Sequence, residues 1–153
     1  MIISVKVGWV AWSCWNNGSF VDEKDDLLQR RNYLVEKIVV EPRQLLQEMP
    51  KNIGMQFQGE WALYSCSMMA EALARMSELY PETKDEAIAA IDSLIQIVKS
   101  PELRNYDRMR WGEDPLESLE GDESHASYLS HLAWMIGNYR HIGGDERYNH
   151  LHV

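Results

Sequence analysis

The stretch FQGEWALYSCSMMAEALARMSEL, residues 57–79, decides the fold. Wound at about 100° per residue, it separates an apolar face from a polar face. The apolar face consists of Ala62, Cys66, Met69, Leu73, Met76 and Tyr80, and the polar face of Glu60, Tyr64, Ser67, Glu71, Arg75 and Glu78. Small residues between the two faces favour close helix neighbours. The stretch therefore predicts a long amphipathic helix inside a helical array.

The sequence on either side is helical in character as well. Apolar residues recur at helical spacing, and beyond the turn at residues 16–19 no alternating strand pattern of useful length follows. The additional predicted helices cover residues 22 to about 40, 43–49, 83 to about 99, 122 to about 141, and a last one from 145 onward. We therefore predict an all-α domain of antiparallel hairpins.

Several boundaries of these helices carry recognisable signals. Thr83 with Glu86 three residues later fits a capping box at the start of a helix. Gly143 and Gly144 fit a C-terminal cap at the end of one. Residues 101–121 are predicted to form a long connection, and connections beyond about 12 to 15 residues are often functional.

The length, charge and cysteine count of the chain exclude several classes of protein. The chain has 153 residues, which suits one compact domain. Its formal charge of −9 opposes binding to a phosphate backbone, so we exclude nucleic acid. Cys14 and Cys66 are the two cysteines, too few for a disulfide scaffold. No Gly-rich phosphate loop occurs, and no cofactor is predicted.

The N-terminal segment, residues 1–20, is treated separately from the helical domain at 21–153. Its apolar run of about 15 residues is shorter than the roughly 20 that a membrane helix needs. Trp9, Trp12 and Trp15 repeat every three residues, as in an interfacial belt. A strand or helix packed on the domain is the alternative. The membrane interpretation favours a cell-envelope or membrane-associated location over a cytoplasmic one.

Antiparallel packing brings three segments to one end of the array. Helices joined by short loops alternate in direction, so those at 57–79 and 122–141 start at the same end, where the 101–121 connection also lies. Residues 56–64, 106–115 and 122–128 should therefore meet. The candidate catalytic residues are His125, Glu113, Asp114 and Glu60, and the candidate substrate-binding residues are Gln58, Trp61, Tyr64, Trp111 and Tyr128.

Each candidate has a chemical and a structural interpretation. Glu113 and Asp114 could act as acid and base if burial separated their pKa values, or they could be solvated loop acids. His125, on an apolar face with Tyr128, could transfer protons or be a satisfied core histidine. Asp122 fits an N-cap.

Metal binding by the histidines is not predicted. His131 should lie on the polar side of its helix, opposite His125. His150 and His152 alternate at the chain end, a spacing that can chelate, but terminal residues rarely form a fixed site.

The run HASYLSHL at residues 125–132, closing in IGGD at 142–145, resembles α/α-toroid enzymes when taken with the hairpins and end loops. The chain looks most like uncharacterised relatives of linalool dehydratase/isomerase, and more distantly like six-hairpin glycosidases. The resemblance covers residues 50 to 150. It implies a partial toroid, completed by its missing remainder or by another copy, with acid–base chemistry on sugars, uronic acids or terpenoid alcohols.

Two classes of function follow. The first is a cofactor-independent enzyme domain, either a lyase/isomerase or a carbohydrate-active hydrolase, acting on a small-molecule or carbohydrate substrate. The second is a non-catalytic helical protein–protein interaction module, tethered to a membrane surface through residues 1–15.

Overall fold

The computed structural model describes residues 20–50, 52, 54–117 and 125–151, without the side chains of Phe20, Val21, Asp22 and Met55. Every regular element in those ranges is helical, which confirms the all-α prediction. The α-helices are α1 (Phe20–Ile38), α2 (Pro42–Glu48), α3 (Met55–Leu79), α4 (Lys84–Lys99), α5 (Pro101–Trp111) and α6 (Ala126–His141), and the 3₁₀ helices are Pro81–Thr83 and Glu146–Leu151.

The chain forms two compact units, Met1–Tyr33 and Leu34–Val153. The described part of the first unit is the beginning of α1, where Arg30 and Asp26 form an exposed ion pair of 2.8 Å. Residues 1–15 lie outside the described ranges, so both interpretations of that segment stay predictions. None of the described helices is long and apolar enough to cross a bilayer.

In the second unit, α3 packs against α4, α5 and α6. The predicted apolar face is confirmed for Ala62, Cys66, Met69 and Leu73, all of which are buried. The core also takes in residues of the neighbouring helices: Ile91, Leu94, Ile95 and Val98 of α4, Leu103 of α5, and Leu132, Met135 and Ile136 of α6. This central position explains why residues 57–79 combine an apolar face with many small side chains.

The polar face of α3 lies against α6. The hydrogen-bonded side chains are Ser67 with His131 at 2.7 Å, Glu71 with Trp134 at 3.1 Å, and Glu78 with His141 at 2.5 Å. Partners are 63 or 64 residues apart throughout. A constant offset means that the two helices run parallel. We call this row of contacts the polar seam.

Helix α4 runs antiparallel to α3 and α6. The Tyr128 hydroxyl, near the start of α6, donates to the carbonyl oxygen of Val98 at the end of α4, at 3.0 Å. The Lys84 side chain, at the start of α4, lies beside Gly143, just past the end of α6. The first turns of α3 and α6 therefore share one end of the unit, as the short connections predict.

The predicted long connection at 101–121 is wrong for residues 101–111, which form α5. Pro101 ends α4 but also occupies the first turn of the next helix, where its missing N–H and fixed φ are favourable. The Ser100 side chain accepts the Leu103 amide at 3.3 Å and caps that turn. Gly112 ends α5 in the left-handed region with φ of 81°.

Two other boundaries also differ from prediction. The Thr83 hydroxyl donates to the Tyr80 carbonyl at 2.9 Å and does not cap α4, so the capping box is wrong. Helix α6 begins at Ala126 and not at 122, so His125 is its N-cap residue. Asp122 lies outside the described ranges, and its predicted capping role stays a prediction.

The C-terminal cap is confirmed. The amide of Gly144 bonds to the carbonyl of Tyr139 at 2.8 Å and that of Gly143 to Arg140 at 3.0 Å, which is a Schellman motif. Gly143 has φ of 95°. The segment after Asp145, predicted to be a helix, is the 3₁₀ helix Glu146–Leu151.

Alanine substitutions at two helical glycines are expected to change the free energy of unfolding in opposite directions. A Cβ on Gly59 would lie 2.4 Å from the Cβ of Tyr106, whereas one on Gly137 would meet nothing within 4 Å. Gly59→Ala should lower the free energy of unfolding by about 1–3 kcal/mol, because α3 and α5 must separate. Gly137→Ala should raise it by roughly 0.5–1 kcal/mol through helix propensity. Urea denaturation measures both, and equal effects would contradict the close approach.

The Cys66 thiol is expected to be inert in the folded protein. Burial raises its pKa to about 12, so little thiolate forms at neutral pH. In a Cys14→Ser background, Cys66 should be alkylated only after local or global unfolding. A cysteine added at the exposed position of Ala89 should react without unfolding. Rapid labelling of Cys66, measured by mass spectrometry under native conditions, would contradict its burial.

Candidate functional site

Helices α3, α5 and α6 meet at the end where α3 and α6 begin. Gly59 provides the space, because the Tyr106 ring of α5 lies directly against its backbone. Four polar side chains and two tyrosine hydroxyls gather there. They are Glu60, Tyr64, Tyr106, Asp107, His125 and Ser127, which we call the end cluster.

The centre of the end cluster is a buried pair. His125 Nδ1 lies 2.5 Å from Asp107 Oδ2, and the two side chains are 3% and 2% exposed. An ionised carboxylate can only accept, so Nδ1 carries the hydrogen. The other ring nitrogen, Nε2, is buried and has no hydrogen-bond partner within the described part of the chain. Buried polar atoms usually have a hydrogen-bond partner, so Nε2 is the ring atom that is open to a further one.

Tyr106 adds a neutral hydroxyl to the same place. Burial raises the pKa of its phenol, and the negative charges of Asp107 and Glu60 raise it further, while Ser127 acts in the opposite direction. The phenol is therefore protonated at any physiological pH. It is available as a hydrogen-bond donor beside the buried pair.

The remaining members link the cluster to the polar seam. The Tyr64 hydroxyl donates to Glu60 at 2.9 Å and lies 3.5 Å from the Ser127 hydroxyl. The Tyr64 ring also lies 4.6 Å from the His131 ring, centroid to centroid. Burial lowers the pKa of His131, and the charge of Glu60 partly offsets this. Glu60 is half-buried and accepts the hydrogen bond from Tyr64.

Of the nine predicted site residues, His125, Glu60 and Tyr64 belong to the end cluster. Gln58 lies one residue before Gly59 and reaches back toward the Met49 carbonyl at 3.5 Å. Trp61 projects outward, with 53% of its surface exposed.

The other predicted residues are held in structural contacts. Asp114 forms an ion pair with Arg104 and accepts the Leu116 amide at 3.0 Å, which fixes the turn after α5. Trp111 lies under the Arg110 guanidinium at 5.1 Å. Glu113 is half-buried. Tyr128 is fully buried, and its hydroxyl donates to the carbonyl oxygen of Val98.

Tyr106, Asp107 and Ser127 lie inside the ranges predicted to meet, but the sequence did not single them out as site residues. For Tyr106 and Asp107 the cause is the assignment of residues 101–111 to a loop, since a loop has no helical periodicity that would place them on one face. Read as a helix, Leu103, Tyr106 and Asp107 fall at i, i+3 and i+4 on one face, and all three are buried. A lone carboxylate on a buried face requires a partner. That requirement could have identified Asp107 from the sequence.

The described residues of the second unit form concave regions, of which two bear on the site. A cavity of about 90 Å³ borders the end cluster and is lined by Leu46, Gln58, Gly59, Glu102, Asn105, Tyr106 and Met109. A wider groove of about 450 Å³ is lined by residues 39–42 together with Asp92, Ser93, Gln96 and Ile97. Within the described ranges, no three His, Cys, Asp or Glu side chains converge so as to hold a metal ion.

Comparison with known proteins gives no relative: no family model, no curated protein and no solved structure matches the chain.

The tautomer of His125 is a direct test of the buried pair. With Asp107 accepting from Nδ1, the neutral ring should show a protonated Nδ1 and a bare Nε2 in ¹⁵N spectra of the imidazole. A far-downfield Nδ1 proton should accompany it and disappear in Asp107→Ala. The opposite tautomer, with hydrogen on Nε2, would contradict the arrangement.

Proposed function

We propose that the second unit is an acid–base enzyme domain of the lyase/isomerase class, built as part of an α/α toroid, with His125 as the proton-transferring residue. The observation that carries the proposal is the buried Nε2 of His125, which has no described partner while Nδ1 is held by Asp107. Most buried polar atoms in proteins have a hydrogen-bond partner, so this open nitrogen is a candidate for contact with a substrate.

The arrangement suits proton transfer from carbon. Asp107 fixes the ring orientation and stabilises the imidazolium that forms when Nε2 takes a proton, as a buried carboxylate does in a His–Asp pair. The protonated Tyr106 hydroxyl can donate to an oxygen of the substrate. His125 then returns its proton to another atom of the product. The substrate class that we propose for these groups is a small hydroxylated molecule, such as a terpenoid alcohol.

The described carboxylates favour this class over a glycosidase. Glycoside hydrolysis uses two carboxyl groups facing a common bond. Here Asp107 is bound to His125, Asp114 to Arg104, and Glu60 accepts from Tyr64. These three carboxylates are thus engaged by side chains of the protein itself, whereas the imidazole keeps one nitrogen available.

The second candidate function, a helical interaction module, is favoured by a different observation. Phe57, Trp61 and Met68 of α3 are 49%, 53% and 65% exposed. Large apolar side chains grouped on a surface mark a contact with another molecule. This candidate predicts binding without turnover.

Turnover by the purified full chain distinguishes the enzyme domain from the interaction module. The probes are p-nitrophenyl glycosides and uronides, read by absorbance, and allylic terpenoid alcohols, read by gas chromatography with mass detection. We expect conversion of an alcohol and its loss by about 100-fold or more in His125→Asn. Asparagine is a good N-cap, so the start of α6 should persist. His150→Asn, at an exposed position of the 3₁₀ helix Glu146–Leu151, is the matched control.

Two outcomes would overturn the enzyme proposal. One is full activity in His125→Asn. The other is a folded wild-type chain that converts none of the probes, in which case the interaction module is preferred. Glycoside cleavage that survives His125→Asn would point to the hydrolase class, with Glu113 as the next residue to substitute.

A further inference from the structure

Two buried polar atoms of the end cluster are unpaired. They are Nε2 of His125 and the hydroxyl oxygen of Tyr106, which belong to residues that are 5% and 4% exposed. Neither atom has a hydrogen-bond partner within the described ranges. Ser127 lies near enough to lower the pKa of the Tyr106 phenol, but its hydroxyl is not in hydrogen-bonding geometry with it. Asp107, which follows Tyr106 in α5 and holds His125, connects the two residues.

The two atoms are complementary in kind. Nε2 presents a lone pair, because the ring hydrogen is on Nδ1 toward Asp107. The Tyr106 hydroxyl keeps its hydrogen, because burial and the charges of Asp107 and Glu60 raise the pKa of the phenol. One atom therefore accepts a hydrogen and the other donates one. A molecule that satisfies both must carry an acidic hydrogen close to an oxygen acceptor.

The strength of an imidazole base decides which hydrogen this is. An unperturbed imidazole has a pKa of about 6.5, so it removes a proton from carbon only when the resulting carbanion is strongly stabilised. The C–H bond of a simple alcohol gives a carbanion without such stabilisation. A C–H bond beside a carbonyl gives an enolate, and a buried hydrogen-bond donor at the enolate oxygen stabilises it further. The two atoms therefore suit a carbon next to a carbonyl.

We propose that the end cluster enolises neutral, short-chain hydroxy ketones and hydroxy aldehydes, with His125 as the base and Tyr106 as the donor to the carbonyl oxygen. This activity rests on the proton-transferring role proposed above for His125, and it extends the substrates of the site to hydroxy carbonyl compounds. The product is the isomer in which the carbonyl and hydroxyl groups have exchanged positions.

Protons and electron pairs balance within the substrate and His125. The C–H bond of the hydroxyl-bearing carbon breaks, and its proton goes to Nε2. The electron pair of that bond forms the C=C bond of an enediolate, while the carbonyl π pair moves to oxygen. The hydroxyl proton then passes to that oxygen. Nε2 returns its proton to the former carbonyl carbon, and the carbonyl re-forms on the neighbouring carbon without any oxidant or reductant.

The charges around the end cluster favour a neutral substrate. Asp107 is bound to His125 and stabilises the imidazolium that forms during the reaction. Asp107 and Glu60 both act electrostatically on Tyr106, so their charges also reach a ligand beside it. These carboxylates repel a phosphate or carboxylate on the substrate, as does the formal charge of −9 on the whole chain.

The cavity beside Tyr106 indicates the size and polarity of the substrate. Its volume of about 90 Å³ is far below the roughly 300–1,000 Å³ of pockets for drug-sized ligands. The side chains that line it include the carboxamides of Gln58 and Asn105. Carboxamides both donate and accept hydrogen bonds, which suits hydroxyl and carbonyl groups. A substrate of about three or four carbons therefore fits this volume better than a longer one.

Hydrogen exchange at carbon tests the activity directly. The purified full chain is incubated with dihydroxyacetone or hydroxyacetone in deuterium oxide, and loss of the methylene signal is followed by proton NMR against a buffer blank. We expect exchange well above the blank, reduced by about 100-fold or more in His125→Asn. The exposed His150→Asn is the control and should exchange as the wild type does. Exchange at the blank rate, or undiminished exchange in His125→Asn, would overturn the proposal.

Tyr106→Phe tests the hydrogen-bond donor. The variant removes the hydroxyl but keeps the ring that packs against Gly59, so the fold should persist, as circular dichroism can verify. We expect kcat for exchange to fall by about 100-fold with little change in KM, because the donor acts mainly on the enolate. A change confined to KM would contradict this role.

A charged analogue tests the preference for neutral substrates. Dihydroxyacetone phosphate should exchange with a kcat/KM at least about 10-fold lower than dihydroxyacetone, because the carboxylates of the end cluster repel its phosphate. Equal or faster exchange of the phosphate would rule out the neutral class.

The allylic alcohols separate this activity from the proposed function. Alcohol conversion that is lost in His125→Asn, without exchange of either hydroxy ketone, would keep the enzyme domain and rule out the enolisation. Absence of both reactions in a folded chain would rule out both. Exchange that depends on His125 and on Tyr106 supports the enolisation whatever the alcohols show.

Discussion

The polar seam between α3 and α6 is the constraint from which the rest of the second unit follows. Its hydrogen bonds keep an offset of 63 or 64 residues, so the two helices are parallel and in fixed register. Side-chain hydrogen bonds set a register more strictly than apolar contacts, because their geometry tolerates little sliding. In this register His125, the residue before α6, lies level with the first turns of α3.

Burial explains the chemistry of the end cluster. Gly59 lets the Tyr106 ring approach the backbone of α3, and this brings the next residue, Asp107, to His125. A carboxylate in such a place is costly without a partner, and the imidazole supplies one. The bond leaves Nε2 as the unpaired atom. Packing between helices thus produces the polarised histidine on which the proposed proton transfer rests.

The sides of α3 differ in character. One side carries Glu60 and Tyr64 toward α6, and another exposes Trp61 and Met68 to solvent. The small residues of α3 keep it narrow enough for three neighbouring helices to pack against it.

The sequence by itself determined the all-α class, the extent of α3, the end of α4 and the glycine cap of α6, because each depends on neighbours a few residues apart. It also placed His125 and Glu60 at one end of the array, through the lengths of the helices and their connections. Only the tertiary structure decided that Asp107 is the partner of His125, that Asp114 belongs to Arg104, and that the polar face of α3 is covered. The reason is that partners 10 to 64 residues apart are chosen by packing between helices, which local periodicity does not encode.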